Sequence, residues 1–241
     1  MNFLAMINAR KGSKGIPNKN KKEFNNKPLI SWTIDLVYDL KDLFVDIILS
    51  TDDKEIIKIT KKKGMIIPLQ RPIKLAGDKV LQIDVMAHAL DEYESRSKKK
   101  VDAVVLFQPT CPLREHKKVK KCIEKFKKSK PDNLITVCKL KRNLLNAIYK
   151  MDRENLKPIL KINKKGNLRQ NNPIYYHRVG YLYIIKSNLI RKKKLFGPKI
   201  IGVEVDAFHS FDIDEDFDFT LQELLIKNKD LFYEKKKTFN N

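Results

Sequence analysis

Four short runs along the chain are apolar almost throughout: FLAMIN (3–8), VDIILS (45–50), VDAVVLFQ (101–108) and LITVCKL (134–140). Runs of this length without strict alternation predict strands buried on both faces of a sheet. Between them the apolar positions fall three and four apart. PLISWTIDLVYDL carries Leu29, Ile30, Trp32, Ile34, Leu36, Val37 and Leu40 at close to helical spacing. KEIIKITKKKG (54–64) predicts a helix closed by Gly64, VLQIDVMAHALDEY (80–93) a strongly amphipathic one, and EHKKVKKCIEKFKK (115–128) another. MIIPL (65–69) predicts a short strand stopped by Pro68.

The rhythm changes between 141 and 185. AIYKM, KPILKIN and PIYYHRVGYLYII read as short strands, separated by turns rich in Asn, Lys and Gly. A helix over 187–194, the strand KIIGVEV and the segment FDIDEDFDFTLQELLIKN, a loop running into a last helix, restore the earlier pattern. The polar tail YEKKKTFNN is expected to fray. No repeat and no low-complexity linker divides the chain, so residues 1–241 read as a single domain, with 141–185 an irregular β-rich segment within it.

Strands alternating with helices predict an α/β fold: a mostly parallel, Rossmann-like sheet with helices on both faces. Ligands in such folds bind beyond the carboxyl ends of the strands. Four polar loops are expected on that rim: Ala9–Asn20, Ser50-Thr51-Asp52, Gln108-Pro109-Thr110, and the stretch with Asp212 and Asp214.

The formal net charge of +22 suggests a polyanion partner. Its make-up argues for a blander cause, since only nine of the 51 basic residues are Arg. Lys, Asn and Ile, all frequent here, share A/T-rich codons, and the lysine clusters are scattered along predicted polar faces and helix ends. We read them as solvated surface and expect no specific nucleic-acid site. Cys111, Cys122 and Cys138 form no C-x-x-C pair and suit a reducing compartment. No apolar run approaches membrane-spanning length, and the first residues do not resemble a signal peptide. The expectation is a cytoplasmic protein.

Chemistry concentrates in two stretches. NARKGSKGIPNKN (8–20) holds four basic residues, two glycines and no acid, straight after the first strand. Gly12 and Gly15 allow close approach of backbone N–H groups to an anion, Arg10 can grip a phosphate with two hydrogen bonds, Lys19 can neutralise another, and Ser13 adds a donor. It is neither a Walker A loop nor G-x-G-x-x-G. Alone it reads as a polyphosphate cradle or as an ordinary basic surface loop. FDIDED (211–216) favours the cradle. Asp212 and Asp214 alternate and on an extended segment share a face, which suits Mg²⁺ shared with substrate phosphates. Glu215, Asp216 and Asp218 fit the acidic start of a helix better. Cys111 reads as a small packing residue, and His88 and His116 as helix residues; His177 and His209 lie in less regular segments.

NARKGSKGIPNKN, STD (50–52), QRPIKLAGD (70–78), QPTCPLR (108–114) and FDID (211–214), in this order, resemble the signature blocks of the acylneuraminate cytidylyltransferases, the CMP-sialic-acid synthetases and their relatives. The resemblance covers nearly the whole chain. It implies a fold of the nucleotide-diphospho-sugar transferase type, and transfer of CMP from CTP to a nine-carbon 2-keto sugar acid with release of pyrophosphate. It implies that Arg10, Ser13 and Lys19 bind triphosphate with Ala9 at the nucleotide. Arg71 and Asp78 would help hold the nucleotide. Gln108, Pro109 and Thr110 would line its junction with the sugar, and Asp212 and Asp214 would bind Mg²⁺. Arg10, Lys19, Asp212 and Asp214 would carry the catalysis. Residues 141–185 would serve a homodimer and reach a sugar site, with Arg169 and Gln170 on the substrate. The block at 108–114 has Cys111 where the family pattern has Ser, and 141–185 departs from the pattern most. Another sugar acid or nucleotide, and a non-catalytic sugar-nucleotide binder, remain as alternatives.

Overall fold

The computed structural model describes residues 1–61, 64–140, 148–159 and 174–230. In chain order these form β1 (Phe3–Asn8), a small hairpin of β2 (Glu23–Phe24) and β3 (Lys27–Pro28), α1 (Leu29–Asp39), β4 (Asp46–Thr51), α2 (Lys54–Lys61), β5 (Ile66–Gln70), α3 (Gln82–Ser97), β6 (Ala103–Phe107), α4 (His116–Ser129) and β7 (Asn133–Lys139). A second hairpin of β8 (Tyr149–Asp152) and β9 (Asn155–Pro158) follows, then β10 (Tyr176–Lys186), α5 (Ser187–Arg191), β11 (Ile200–Glu204) and α6 (Asp216–Lys227). The tail at 233–241, with Arg169 and Gln170, lies outside the described residues.

The central sheet has seven strands in the order β11-β7-β10-β6-β1-β4-β5. β10 pairs antiparallel with both its neighbours, and every other pairing in the sheet is parallel. The pleat sorts the core into two layers. Phe3, Ala5 and Ile7 of β1 face a cluster containing Ile34 and Val37 of α1, Ile56 of α2, and Val119, Cys122 and Phe126 of α4. Leu4 and Met6 face the other way, onto Ile83, Met86, Leu90 and Tyr93 of α3 and Ile190 of α5. The apolar runs are therefore covered on both sides, as their composition requires.

Two local expectations are corrected. Pro68 does not stop its strand: β5 runs through it to Gln70, because β5 is an edge strand and loses no ladder donor on its open side. PIYYHRVGYLYII forms a strand, as expected, but not a short one in an irregular segment. It is mostly one eleven-residue strand, β10, placed between β6 and β7 in the middle of the sheet. Register shifts between Arg178 and Tyr183. There the Thr136 hydroxyl accepts from the Leu182 N–H at 3.0 Å and lies 3.2 Å from the Val179 carbonyl, filling in for the interrupted ladder.

A third, smaller core positions the site. Ile16 of the basic loop, Phe24, Leu29, Ile213 of FDID and Phe219 of α6 are all buried together. Residues nearly two hundred positions apart are thereby packed as one unit.

Candidate active site

The carboxyl ends of β1, β5 and β6 open onto a cavity of about 190 Å³, lined in part by Arg10, Gly12, Ser13, Arg71, Gln108 and Thr110; Ser50, Thr51 and Asp52 at the end of β4 do not line it. Chain connections diverge here, β4 and β5 lying to one side of β1 and β6 to the other, so the cavity sits at the switch point of the sheet.

The basic loop is fixed by bonds at several points. The Lys11 N–H donates to Asp52 at 2.8 Å, and the Asn20 amide donates to the Arg10 carbonyl at 3.1 Å. Arg10 Nη1 lies 2.5 Å from Asp78 Oδ1, and Lys14 Nζ 3.0 Å from Asp78 Oδ2. Hydrogen bonds from Lys14 and Arg10 hold the exposed Asp78 carboxyl below its ordinary range. Asp78 is thus a holder of the loop cations at the edge of the site. Lys21 bridges the buried Asp53 at 3.0 Å and Glu55 at 2.6 Å, anchoring the loop's far end to the start of α2.

Lys19 is not a loose cation in this loop. Its ammonium, almost fully buried, donates to the Ile213 carbonyl at 2.7 Å and lies 3.3 Å from the Asp214 carboxylate. Gly15 explains itself beside it, since a Cβ there would fall 2.2 Å from the Asp214 carbonyl oxygen. The glycine is required by contact with the acidic segment; a Cβ at Gly12 would meet nothing within 4 Å.

In FDID, Ile213 turns into the small core and the two carboxylates turn away from it. Asp212 is the buried one. Its Oδ2 accepts from the Gly180 N–H at 2.9 Å and its Oδ1 from the Thr110 hydroxyl at 3.3 Å. Burial pushes the Asp212 carboxyl up, and nearby Asp214 adds to this, while the Gly180 bond and the Arg114 charge oppose it. A Cβ on Gly180 would sit 2.2 Å from Asp212 Oδ1, so glycine there is the condition for this approach. Glu215 and Asp218 form the capping box of α6, and Asp216 pairs with Lys22 at 3.1 Å. The acids after Asp214 thus serve the helix, as expected.

Arg114, for which sequence reasoning assigned no separate role, organises the wall. It donates to the Tyr181 carbonyl and to the Gln108 carbonyl, both at 2.5 Å, and to Thr33 at 3.1 Å. It thereby links the loop after β6 to the β10 irregularity that holds Asp212. Arg71 is similarly buried, with Nη2 on the Ser50 carbonyl at 2.8 Å, and burial lowers its pKa to about 10, so it stays charged at neutral pH. A signal for both was available: in a chain so biased to Lys, a retained Arg marks a place needing a planar fork of donors.

Arg10, Ser13, Lys19, Arg71, Gln108, Pro109 and Thr110 all line the cavity, with Asp212 and Asp214 joined to it through Thr110 and Lys19. Ala9 does not line the cavity; it is buried, its N–H on the Ser50 carbonyl at 3.1 Å. Cys111 is buried and its thiol is pushed up to about 12, which removes it as a nucleophile and agrees with a packing role. Among the described residues no group of three or more His, Cys, Asp or Glu could cage a cation alone. Two hard oxygen donors, one of them desolvated and short of neutralising charge, fit a cation that takes its other ligands from water and phosphate.

Comparison with known proteins agrees with this geometry. The cytidylyltransferase family model matches residues 4–239, so the chain belongs to the cytidylyltransferase family, enzymes that transfer a cytidylyl group from CTP. It is 35% identical over 233 residues to the post-translational flagellin modification protein B of Campylobacter coli, covering 95% of this chain and 97% of that one. It is 32% identical to the CMP-N,N'-diacetyllegionaminic acid synthase of Campylobacter jejuni, at the same coverage. An N-acylneuraminate cytidylyltransferase of Streptococcus agalactiae is 28% identical over 231 residues, and there the chain spans only 52% of its relative. The fold resembles a CMP:2-keto-3-deoxy-manno-octonic acid synthetase solved with CTP, with a TM-score of 0.70 at 13% identity over 95% of this chain and all of that one. It also resembles a 4-diphosphocytidyl-2C-methyl-D-erythritol synthase, with a TM-score of 0.68 at 8% identity, covering 93% and 98%.

The raised proton affinity of Asp212 has a consequence for stability. A carboxyl whose folded pKa is raised favours the fold most when protonated, and that contribution is lost as pH rises through the raised value. Asp212→Asn keeps the shape and removes the desolvated charge. We expect its melting temperature at pH 7 to exceed that of the wild type, with the gain shrinking as pH falls through the wild-type transition. Nucleotidyl transfer should fall by orders of magnitude. A lower melting temperature at pH 7 would contradict this reading of Asp212.

Proposed function

We propose that this chain transfers CMP from CTP to the anomeric hydroxyl of a nine-carbon, sialic-acid-like 2-keto sugar acid, releasing pyrophosphate, and that it works with Mg²⁺ as a cytoplasmic homodimer. The observation that carries this is a cavity lined by a cation-rich loop, two of whose lining residues, Thr110 and Lys19, bond directly to the carboxylates of Asp212 and Asp214. The nine-carbon acceptor is supported by the names of the Campylobacter jejuni and streptococcal relatives. The free, buried cysteines suit a reducing compartment.

In the transfer, the sugar hydroxyl oxygen bonds to the α-phosphorus, giving up its proton to water, as the bond from that phosphorus to the pyrophosphate oxygen breaks. No covalent enzyme intermediate is needed, so the chain's work is alignment and charge. Asp212 and Asp214 would hold Mg²⁺, which supplies neutralising charge to the transferring and leaving phosphates. Arg10, paired with Asp78, can exchange that partner for a phosphate, a bidentate acceptor. Ser13 adds a donor, and Lys19 keeps Asp214 in register with the loop. Gln108 and Thr110 border the sugar side of the reacting phosphate. By the resemblance, Arg169 and Gln170 meet the sugar acid, Arg169 at its carboxylate.

The homodimer is supported by the β8–β9 hairpin. Met151 and Leu156 face each other across it and are 69% and 57% exposed, with Ile148, Tyr149 and Ile159 exposed beside them. A two-stranded ribbon showing this much apolar surface needs something to pack on. The double variant Met151→Glu, Leu156→Glu is expected to be a monomer by size-exclusion chromatography with light scattering. A wild type that is itself monomeric at micromolar concentration would refute the dimer.

The activity is tested by pyrophosphate release with Mg²⁺, crossing CTP, UTP, GTP and ATP with N-acetylneuraminate, N,N'-diacetyllegionaminate and 2-keto-3-deoxy-manno-octonate. Release is expected with CTP and a nine-carbon acid, and Arg10→Ala should reduce it by about 10²–10³-fold, the scale of losing a charge-stabilising group. Release only with the eight-carbon acid would contradict the proposed acceptor. Full activity in Arg10→Ala would remove that residue from the site.

A further inference from the structure

Six buried side-chain polar atoms among the described residues have no hydrogen-bond partner, and three of them belong to residues lining the active-site cavity: Asn8 Nδ2, Asn8 Oδ1 and Gln82 Nε2. Of the others, Asp53 Oδ2 is compensated by its ion pair with Lys21. Buried amide atoms are nearly always paired in native proteins, because an unmade hydrogen bond is costly. An apolar side chain at either position would avoid that cost, so two carboxamides left unsatisfied at one cavity call for a common explanation.

Their placement supplies it. Asn8 ends β1 opposite Ser50 of β4, at the carboxyl edge of the sheet. Gln82 opens α3, and Val85, one turn on, lines the same cavity. The inference rests on the nucleotide reading of this site. If the phosphates lie with Arg10, Gly12 and Ser13, the base is left for the wall of neutral amides and valine.

The orphan atoms are two donors and one acceptor. The Watson–Crick edge of cytosine is the complement, a donor at N4 and acceptors at N3 and O2. The edge of guanine carries two donors and one acceptor and would set donor against donor. We propose that Asn8 and Gln82 read the Watson–Crick edge of the pyrimidine base, with Asn8 turning its amide from the wall to present donor and acceptor together. Uracil offers the same groups in another order, which a flipped Asn8 amide also satisfies. The pair therefore fits a pyrimidine and does not by itself separate CTP from UTP.

The test is calorimetric titration of the full chain with CTP, UTP and inorganic tripolyphosphate, for the wild type, Asn8→Leu and Gln82→Met. Each variant is expected to bind CTP and UTP about tenfold more weakly, the scale of one lost hydrogen bond with its partner left unpaired. Tripolyphosphate should bind all three proteins equally, which also shows that the variants are folded. Unchanged CTP affinity in both variants overturns the proposal. So does an equal loss for CTP and tripolyphosphate, which would mark a merely structural role. A wild type that binds tripolyphosphate but not CTP would overturn the nucleotide reading itself, before any variant is made.

Discussion

The buried ammonium of Lys19, 2.7 Å from the Ile213 carbonyl and 3.3 Å from the Asp214 carboxylate, is the contact on which the rest of the site depends. It joins the loop after the first strand to the segment before the last helix. Around it, Ile16, Phe24, Leu29, Ile213 and Phe219 close a small core, and Gly15 lets the two backbones touch. Neither segment has regular secondary structure to hold it. Apolar packing supplies the adhesion, and the ammonium, short of water and surrounded by acceptors, supplies the register.

A second buried cation works on the opposite wall. Arg114 gathers the carbonyls of Gln108 and Tyr181, and Gly180 next to it offers its N–H to Asp212. The arrangement keeps a carboxylate where burial disfavours its charge. Such a group weakens the fold at neutral pH; in the proposed function it is tolerated for the charge it would offer a cation. Lys19 and Arg114 thus hold two halves of one site, the exposed Asp214 and the buried Asp212.

Much of this was legible in the sequence, for a physical reason. Strands buried on both faces must be apolar throughout, so FLAMIN and VDAVVLFQ announced the middle of the sheet. The rim loops followed from strand order, and the D-I-D alternation placed Asp212 and Asp214 opposite Ile213. What stayed hidden depends on contacts between distant residues. That Lys19 also meets acceptors 194 and 195 residues away was hidden, because nothing local shows them. The need for glycine at 180 was not legible, because its reason is the approach of Asp212. β10 was read as a strand but not as a long central one, because its exposed aromatic and basic start gives no sign that Val179–Leu182 lies buried in the sheet. Pro68 obeyed the rule for proline in strands once β5 proved to be an edge.

The most direct measurement concerns Lys19→Met, which keeps most of the side-chain volume and removes the charge. If Lys19 tethers Asp214, the variant binds inorganic tripolyphosphate as the wild type does, while its kcat falls and the Mg²⁺ concentration needed for half-maximal pyrophosphate release rises. If instead tripolyphosphate affinity collapses and the Mg²⁺ requirement is unchanged, Lys19 is a phosphate ligand, and the account of a site held together by that ammonium is wrong.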